Sequence, residues 1–219
     1  LLHGTVKPEK VDHQLAGTVS ARLPVALFAH RVLLVEGTTE ASVIHGICDR
    51  TSVGCLEKLG VSVVDVGGES SLPLAHAILT ALGIPTHPMF DADGGFEARA
   101  RAHGKDDGKV ASERQSHASS NRSVMSYFKL TPEDFPPESE TVDVTILDDH
   151  LEALMERDWP EWAEACTKLE TELGVDVSKN SAAYRTATLQ AEGAPAPILE
   201  RVIERVVGGP ITPSAHPLS

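Results

Sequence analysis

Two short stretches of the sequence predict the fold: Arg31-Val32-Leu33-Leu34-Val35-Glu36-Gly37-Thr38-Thr39-Glu40 and Pro88-Met89-Phe90-Asp91-Ala92-Asp93-Gly94-Gly95. The first is a continuous apolar run, too short for a helix, that stops at an acid and a glycine. The second runs into two alternate acids and then a glycine pair that favours a turn. Both stretches therefore predict buried parallel strands that end in carboxylates.

The acids that follow these strands are expected to meet. The carboxyl ends of parallel strands lie along one edge of a sheet, where the ligands of such sheets bind. Four carboxylates should open into a crevice there, namely Glu36, Glu40, Asp91 and Asp93. Carboxylates are suitable ligands for hard cations such as Mg²⁺ or Mn²⁺. The pattern thus predicts an α/β fold with a cation-binding crevice.

The ordered pair of motifs resembles the Toprim catalytic domain, a metal-dependent fold shared by topoisomerases, bacterial primases and several nucleases. The family pattern is a strand that ends in Glu-Gly and, after a βα unit, a strand that ends in Asp-x-Asp. The matching residues here are Glu36-Gly37 and Asp91-Ala92-Asp93. The second acid of the first motif, Glu40, and the turn Gly67-Gly68 after the middle strand look more like the OLD (overcoming lysogenization defect) nucleases.

The resemblance covers residues 28–150 and implies a fold of the Toprim-like (Rossmann-like) type, a mostly parallel sheet flanked by helices with a small helical subdomain. It also implies further metal ligands in the segment Asp148-Asp149-His150-Leu151-Glu152, because OLD nucleases have an Asp-x-x-Glu-like element there. Asp149 and Glu152 lie three residues apart, on one face of a predicted helix that begins at Asp149. Ordinary helix capping is the competing interpretation for this pair and for Glu40.

Two basic residues complete the predicted catalytic set. The helical subdomain of OLD nucleases contributes a lysine, and Lys179 is its closest match, with Lys168 as the alternative and an exposed loop lysine as the competing interpretation. Lys179 or Arg122 would neutralise charge on the reacting phosphate. The catalytic residues are therefore predicted to be Glu36, Asp91, Asp93, Lys179 and Arg122, and the metal ligands Glu36, Glu40, Asp91, Asp93, Asp149 and Glu152.

Composition limits the class of protein. The net charge of −13 argues against a protein that coats nucleic acid nonspecifically. Between Glu97 and Lys129, however, seven basic residues stand against four acidic ones, which would let a phosphate backbone approach, although a solvated helix face is an equally good interpretation. No run is long enough to span a membrane and no signal pattern is present, so we expect a cytoplasmic protein.

The remaining elements follow from turn residues and apolar spacing. Further strands are predicted at 61–66, 84–91 and 141–147, and the prolines of the middle one predict an irregular ladder near Pro88. Residues 94–130 are predicted to be helical with a polar interruption around Ser116 to Asn121. Three short helices are predicted between Pro160 and Val207. The expected organisation is a lead-in at 1–27, a Toprim domain at 28–150, a helical subdomain at 151–207 and a flexible tail at 208–219.

The resemblance implies a Mg²⁺- or Mn²⁺-dependent DNA endonuclease that uses two ions and forms the nuclease region of a larger protein with an N-terminal ATPase domain. A degenerate Toprim module that binds DNA or proteins without catalysis is the alternative. A topoisomerase would need a nucleophilic tyrosine, and neither Tyr127 nor Tyr184 has a supporting context.

Overall fold

The computed structural model describes residues 21–174, 176–177 and 180–210 and confirms the predicted α/β fold. Within this part of the chain the strands are β1 (Arg31–Val35), β2 (Val61–Asp65), β3 (Thr86–Asp91), β4 (Ser139–Glu140) and β5 (Thr145–Leu147). They form a five-stranded sheet with the order β2-β1-β3-β5-β4. Strands β2, β1, β3 and β5 are parallel, and β4 is an antiparallel edge strand.

Helices cover both faces of the sheet. They are α1 (Thr38–Asp49), α2 (Cys55–Lys58), α3 (Leu72–Ala81), α4 (Phe96–Ala102), α5 (Asp107–Tyr127), α6 (Leu151–Asp158), α7 (Pro160–Leu173), α8 (Ser181–Gln190) and α9 (Pro197–Val207). Leu33 and Val35 of β1 pack into a cluster formed with α1 and α6 to α9, whereas Val32 and Leu34 join a cluster with α3 and α5. Burial on both faces explains why β1 is apolar from Val32 to Val35.

The predicted irregularity near Pro88 is confirmed. β3 pairs with β1 at residues 86–88 and with β5 at residues 89–91. Proline has no N–H to donate to a ladder, so the change of partner falls where a regular ladder would be interrupted. The change leaves Asp91 at the carboxyl end of the strand, between the ends of β1 and β5.

Two secondary-structure predictions are wrong. Helix α5 is continuous through Ser116 to Asn121, because Ala118 and Asn121 of this polar stretch pack into the protein interior. The helical region breaks earlier, where Gly104 has a φ of +74° and Asp106 caps α5 by accepting a hydrogen bond from the Lys109 N–H. Polar sequence was therefore a poor indicator of a break.

The strand predicted at 141–147 is also shorter than expected. Its first residues form a tight turn in which the Thr141 N–H donates to the Val144 carbonyl, and only Thr145–Leu147 forms β5. Val142, predicted to lie on a strand face, is 77% exposed. The hydroxyl of Thr141 accepts hydrogen bonds from the chain within the turn, which favours a turn over a longer strand.

The helical region that follows ends where the sequence predicts. Helix α7 begins at Pro160 and is closed by Gly174, and α9 follows Ala196 and is closed by Gly208. These helices share one apolar cluster with α1 and a face of the sheet, so the domain boundary at 150 stays a prediction. Lys179 lies outside the described residues. In the described part of the chain, no helix is long and apolar enough to cross a membrane.

Candidate active site

Two of the predicted acids are in direct contact at the carboxyl edge of the sheet. Glu36 follows β1, and Asp91 ends β3, its neighbour in the sheet. The Asp91 N–H donates a hydrogen bond of 2.8 Å to Oε1 of Glu36. The expected meeting of the two motifs is therefore present in the structure.

The side chain of Asp91 also contacts the start of a helix. Its Oδ2 accepts a hydrogen bond of 3.2 Å from the N–H of Leu151, the first residue of α6. Its Oδ1 is buried and has no hydrogen-bond partner within the residues that the structure describes. A buried carboxylate oxygen without a partner is costly, so this atom lies where a cation would stabilise the fold.

The carboxylates of the crevice raise one another's pKa. Burial, followed by the charges of neighbouring acids, raises the pKa of Glu36 to about 8 and also raises that of Asp91. Burial and the charge of Glu152 raise the pKa of Glu40. Each shift means that the protein stabilises the charged form poorly. Glu36, Asp91 and Glu40 therefore form a cluster of acids whose negative charge, when they ionise, is poorly compensated.

Glu40 has the local role that its sequence position predicts. Its Oε2 accepts a hydrogen bond of 2.9 Å from the N–H of Gly37, the residue that caps α1. Glu152 of α6 accepts a hydrogen bond of 3.4 Å from the Tyr184 hydroxyl. Tyr184 belongs to α8, which packs against α1, so this contact lies on the α1 side of the crevice.

Asp93 is held on the opposite side of the crevice by two partners, Arg99 and His117. Its backbone has a φ of +54°, a left-handed conformation that turns the chain after Asp91. Its Oδ1 accepts a hydrogen bond of 3.1 Å from Arg99 of α4, and its Oδ2 lies 2.9 Å from Nδ1 of His117 on α5. Asp93 is thus paired, whereas Asp91 keeps an unpartnered oxygen.

Asp149 lies before α6 rather than inside it, which corrects the predicted helix start. His150 is the cap, because its Nδ1 accepts a hydrogen bond from the Ala153 N–H, and Asp149 turns toward Arg99 instead. Both carboxylate oxygens of Asp149 lie 2.5 Å from one guanidinium nitrogen of Arg99. Asp149 and Glu152 therefore do not share a helix face.

The glycine pair allows this close approach. A Cβ at Gly94 would lie 2.6 Å from the carbonyl oxygen of Asp148, and a Cβ at Gly95 would lie 2.2 Å from Oδ2 of Asp149. At Gly94 the clash would be with the backbone, so a glycine lets the Asp-x-Asp loop pack against Asp148, whereas at Gly95 the carboxylate of Asp149 and the guanidinium of Arg99 would have to shift.

Sequence reasoning missed three site residues, Arg99, His117 and Glu69. Burial and the charge of Asp93 raise the pKa of Glu69 to about 7, although a hydrogen bond from Ser120 lowers it. A signal for Glu69 existed, since it directly follows the Gly67-Gly68 turn at the same sheet edge. Arg99 and His117 had no such signal, because their helices reach the site through tertiary packing.

Comparisons with known proteins concern the family and the fold. Residues 27–93 match the family model for the overcoming lysogenization defect protein-like TOPRIM domain. This region is an OLD-like Toprim domain. The chain is 36% identical over 67 residues to the Old nuclease of Escherichia phage P2, a match that covers 31% of this chain and 11% of the phage protein.

The fold of the Toprim domain and the helices after it is similar to a solved structure of the C-terminal region of the Xanthomonas campestris pv. campestris OLD protein. The TM-score is 0.50 at 15% identity, over 84% of this chain and 95% of that one. A second structure of the same region gives a TM-score of 0.49 at 16% identity, over 83% and 96%. At such identities the likeness concerns the fold alone.

The predicted basic residues are less clearly connected to the Toprim acids. The guanidinium of Arg122 pairs with Asp134, and none of its contacts in the described chain involves the six predicted ligands. Lys168 is an exposed residue of α7 that lies 4.0 Å from Glu172. The catalytic role of Lys179 stays a prediction because that residue is outside the described segments.

The acids suit a divalent cation chemically, although they do not form a closed ligand cage. Among the described residues, no group of three or more His, Cys, Asp or Glu side chains is arranged to hold a metal ion. The donors are nevertheless hard oxygens, one of them buried without a partner, and they repel one another. A cation would relieve both penalties, so the residues fit Mg²⁺ or Mn²⁺.

A cavity of about 510 Å³ opens beside the Toprim acids. Its walls include the glycine pair, Asp149, Arg157 and the apolar segment Phe135-Pro136-Pro137. The guanidinium of Arg114 lies 4.9 Å from the centre of the Phe135 ring. The cavity therefore combines apolar surface with charged groups of both signs next to the site.

Proposed function

We propose that this chain is the nuclease region of an OLD-type protein and cleaves DNA phosphodiester bonds with Mg²⁺ or Mn²⁺. The observation that carries the proposal is the buried, mutually repelling pair Glu36 and Asp91 at the carboxyl edge of a Toprim sheet, with one oxygen of Asp91 unpartnered in the described structure. Acids arranged in this way cost stability unless a cation binds them. The name of the phage relative, Old nuclease, supports a reaction of this class.

The chemistry suits the acid set. A phosphodiester resists hydrolysis because its negative charge repels nucleophiles and its alkoxide leaves poorly. When bound, a pair of divalent cations supplies an activated water and stabilises the leaving oxygen. The protein's own task is therefore to hold the cations and the phosphate in fixed positions.

The proposed ligands belong to two cation positions. Glu36 and Asp91 would hold the first ion, with Asp93 at the border between the two. The second position would use Asp149 with Asp93 on one side, and Glu40 and Glu152 complete the proposed ligand set on the α1 side. Lys179 and Arg122 remain the proposed residues that offset phosphate charge.

The cavity beside the glycine pair is the proposed path for the DNA strand. It adjoins Asp149 and is lined by Phe135, against which an unpaired base can stack. Arg157 lines it and Arg114 packs on the Phe135 ring, although Arg157 is shared with Asp148, Glu138 and Asp158, and Arg114 with Glu97. A strand that follows this cavity would bring a phosphate to the acids.

The larger protein context is part of the proposal. The phage relative extends far beyond the matched region, and the similar solved structure is described as a C-terminal region. We infer that an ATPase domain precedes this chain in the full-length protein. Expression of the natural full-length chain and measurement of DNA-stimulated ATP hydrolysis test this inference.

A catalytically inactive Toprim module that binds DNA or proteins is the second candidate. The observation that favours it is the pairing of Asp93 and Asp149 with Arg99, which satisfies part of the acid set without a metal. Incubation of supercoiled plasmid with Mg²⁺, Mn²⁺, Ca²⁺ or EDTA separates the candidates. The nuclease produces nicked or linear plasmid with Mg²⁺ or Mn²⁺ and none with EDTA, whereas the binding module leaves the plasmid intact throughout.

A further inference from the structure

We propose that the Arg99 guanidinium occupies the second metal position of the crevice. It moves out of this position when a DNA phosphate binds. The inference rests on the proposed function, and it adds a control that couples metal loading to substrate. Arg99 would then be a positioning residue that regulates the site rather than a metal ligand.

The geometry of Arg99 carries the argument. One guanidinium nitrogen lies 2.5 Å from both carboxylate oxygens of Asp149, and the other lies 3.1 Å from Oδ1 of Asp93. The guanidinium therefore joins two acids that come from different elements, 56 residues apart in the chain. A single delocalised charge between two carboxylates occupies the place that a divalent cation would take.

The rest of the crevice shows which position is closed. Glu36 and Asp91 face no arginine or lysine in the described hydrogen bonds and ion pairs, and Oδ1 of Asp91 has no partner there. On the other side, Asp93 and Asp149 are held by Arg99, with His117 as a further partner of Asp93. The uncompensated side is therefore open to a first cation, and the compensated side is closed to a second.

Gly95 provides the space in which the guanidinium sits. A Cβ at this position would lie 2.7 Å from the Arg99 nitrogen that contacts Asp149. The Arg99 side chain is 29% exposed and belongs to α4, a helix of seven residues at the surface of the sheet edge. The side chain is thus seated firmly enough to pair with the acids and remains accessible to solvent.

A DNA phosphate is the chemical group that would draw the Arg99 side chain away from Asp93 and Asp149. Guanidinium groups bind phosphate through two parallel hydrogen bonds, as they bind carboxylates. A phosphate that enters from the neighbouring cavity would compete with Asp149 for the same nitrogens. Transfer of Arg99 to the phosphate would free Asp93 and Asp149 for the second cation, so the complete site would form only on substrate.

Calorimetric titration with Mn²⁺ tests this directly in four samples. They are the wild type, the wild type with a phosphorothioate DNA duplex that resists cleavage, Arg99→Gln, and Arg101→Gln as a matched control. Arg101 lies on the same helix and pairs with Glu97 and Asp107 instead of the crevice acids. Circular dichroism verifies that each variant is folded.

We expect one Mn²⁺ in the wild type without DNA, two with the duplex, two in Arg99→Gln without DNA, and one in Arg101→Gln. An unchanged stoichiometry in Arg99→Gln, or two ions in the wild type without DNA, would overturn the inference while the proposed function stands. No Mn²⁺ in any sample would overturn both. If Arg99→Gln does not fold, Arg99→Lys replaces it and must bind the second ion at a lower Mn²⁺ concentration than the wild type, or the inference fails.

Discussion

The backbone N–H of Asp91 donates to Oε1 of Glu36 at 2.8 Å, so the ends of β1 and β3 are joined through one of the acids of the site. The bond orients Glu36 even though burial and neighbouring acids disfavour its charge. Folding therefore brings together carboxylates that repel one another, and this conflict gives the site measurable properties.

Divalent metal should raise the melting temperature. A cation that binds the folded chain stabilises it by mass action, by about 2.7 kcal/mol when its concentration is a hundredfold above Kd. Glu36→Gln removes one repelling charge and one ligand, so the shift should shrink in that variant. Differential scanning fluorimetry with millimolar Mg²⁺ or Mn²⁺ measures the effect, and an unmoved wild-type curve would show that the acids do not bind metal.

The metal-free protein should become less stable as pH rises. Burial raises the pKa of Glu36 from 4.5 to about 8, so this group binds a proton more tightly in the folded state than in the unfolded state. Its stabilising contribution is complete below about pH 4.5 and is lost as pH rises through about 8. The melting temperature, measured in EDTA, should therefore fall more steeply with rising pH in the wild type than in Glu36→Gln.

Equal pH slopes for the wild type and Glu36→Gln would contradict this assignment. Metal affinity gives an independent check, because metal ligands must lose their protons before they bind. The Mn²⁺ affinity of the wild type should increase across the same pH range.

Glu152→Ala separates a metal ligand from a surface acid. As a ligand of the second position, Glu152 is required for full activity, so its loss should leave one metal bound in the presence of the uncleavable DNA duplex, where the wild type binds two, and should reduce cleavage by orders of magnitude. As an ordinary helix acid, its loss would cost at most about 0.5 kcal/mol and no activity. Glu156→Ala, at an exposed position one turn later, is the control. Wild-type cleavage by Glu152→Ala would exclude this ligand.

Asn121 should anchor the Asp-x-Asp loop. Its buried amide donates hydrogen bonds of 2.9 Å to the carbonyl of Ala92 and 2.7 Å to the carbonyl of Asp134. Asn121→Ala leaves both acceptors without this donor and should lower the free energy of unfolding by about 1–3 kcal/mol. Urea unfolding measures the loss, with the exposed Ser119→Ala on the same helix as the control. A loss no larger than that of the control would contradict the anchoring role.

The sequence was sufficient for the features that depend on local pattern. The end of β1 at Glu36 and the end of β3 at Asp91 followed from apolar runs that stop at acids. The ligation roles of these residues stay predictions, as do those of Glu40, Asp149 and Glu152. The start of α6 was misplaced because either Asp149 or His150 can cap a helix, and only the tertiary contact with Arg99 decides between them.

Arg99 and His117 show what the sequence could not provide. Both reach Asp93 from helices that pack beside the sheet, and no periodic pattern reports which side chain of a mixed helix turns inward. The sequence does not reveal the buried amide of Asn121 for a similar reason, since the polar stretch around it favours a break in the helix. Tertiary packing had overridden local propensity at that position.

Cleavage of supercoiled plasmid by Asp91→Asn tests the central claim most directly. Asparagine keeps the shape of the side chain and an acceptor for the Leu151 N–H, but it removes the charge that is proposed to hold the cation. With Mn²⁺ present, the wild type should nick or linearise the plasmid, and Asp91→Asn should lose at least about a hundredfold in rate while it retains its circular dichroism spectrum. Cleavage at the wild-type rate by folded Asp91→Asn would contradict the account.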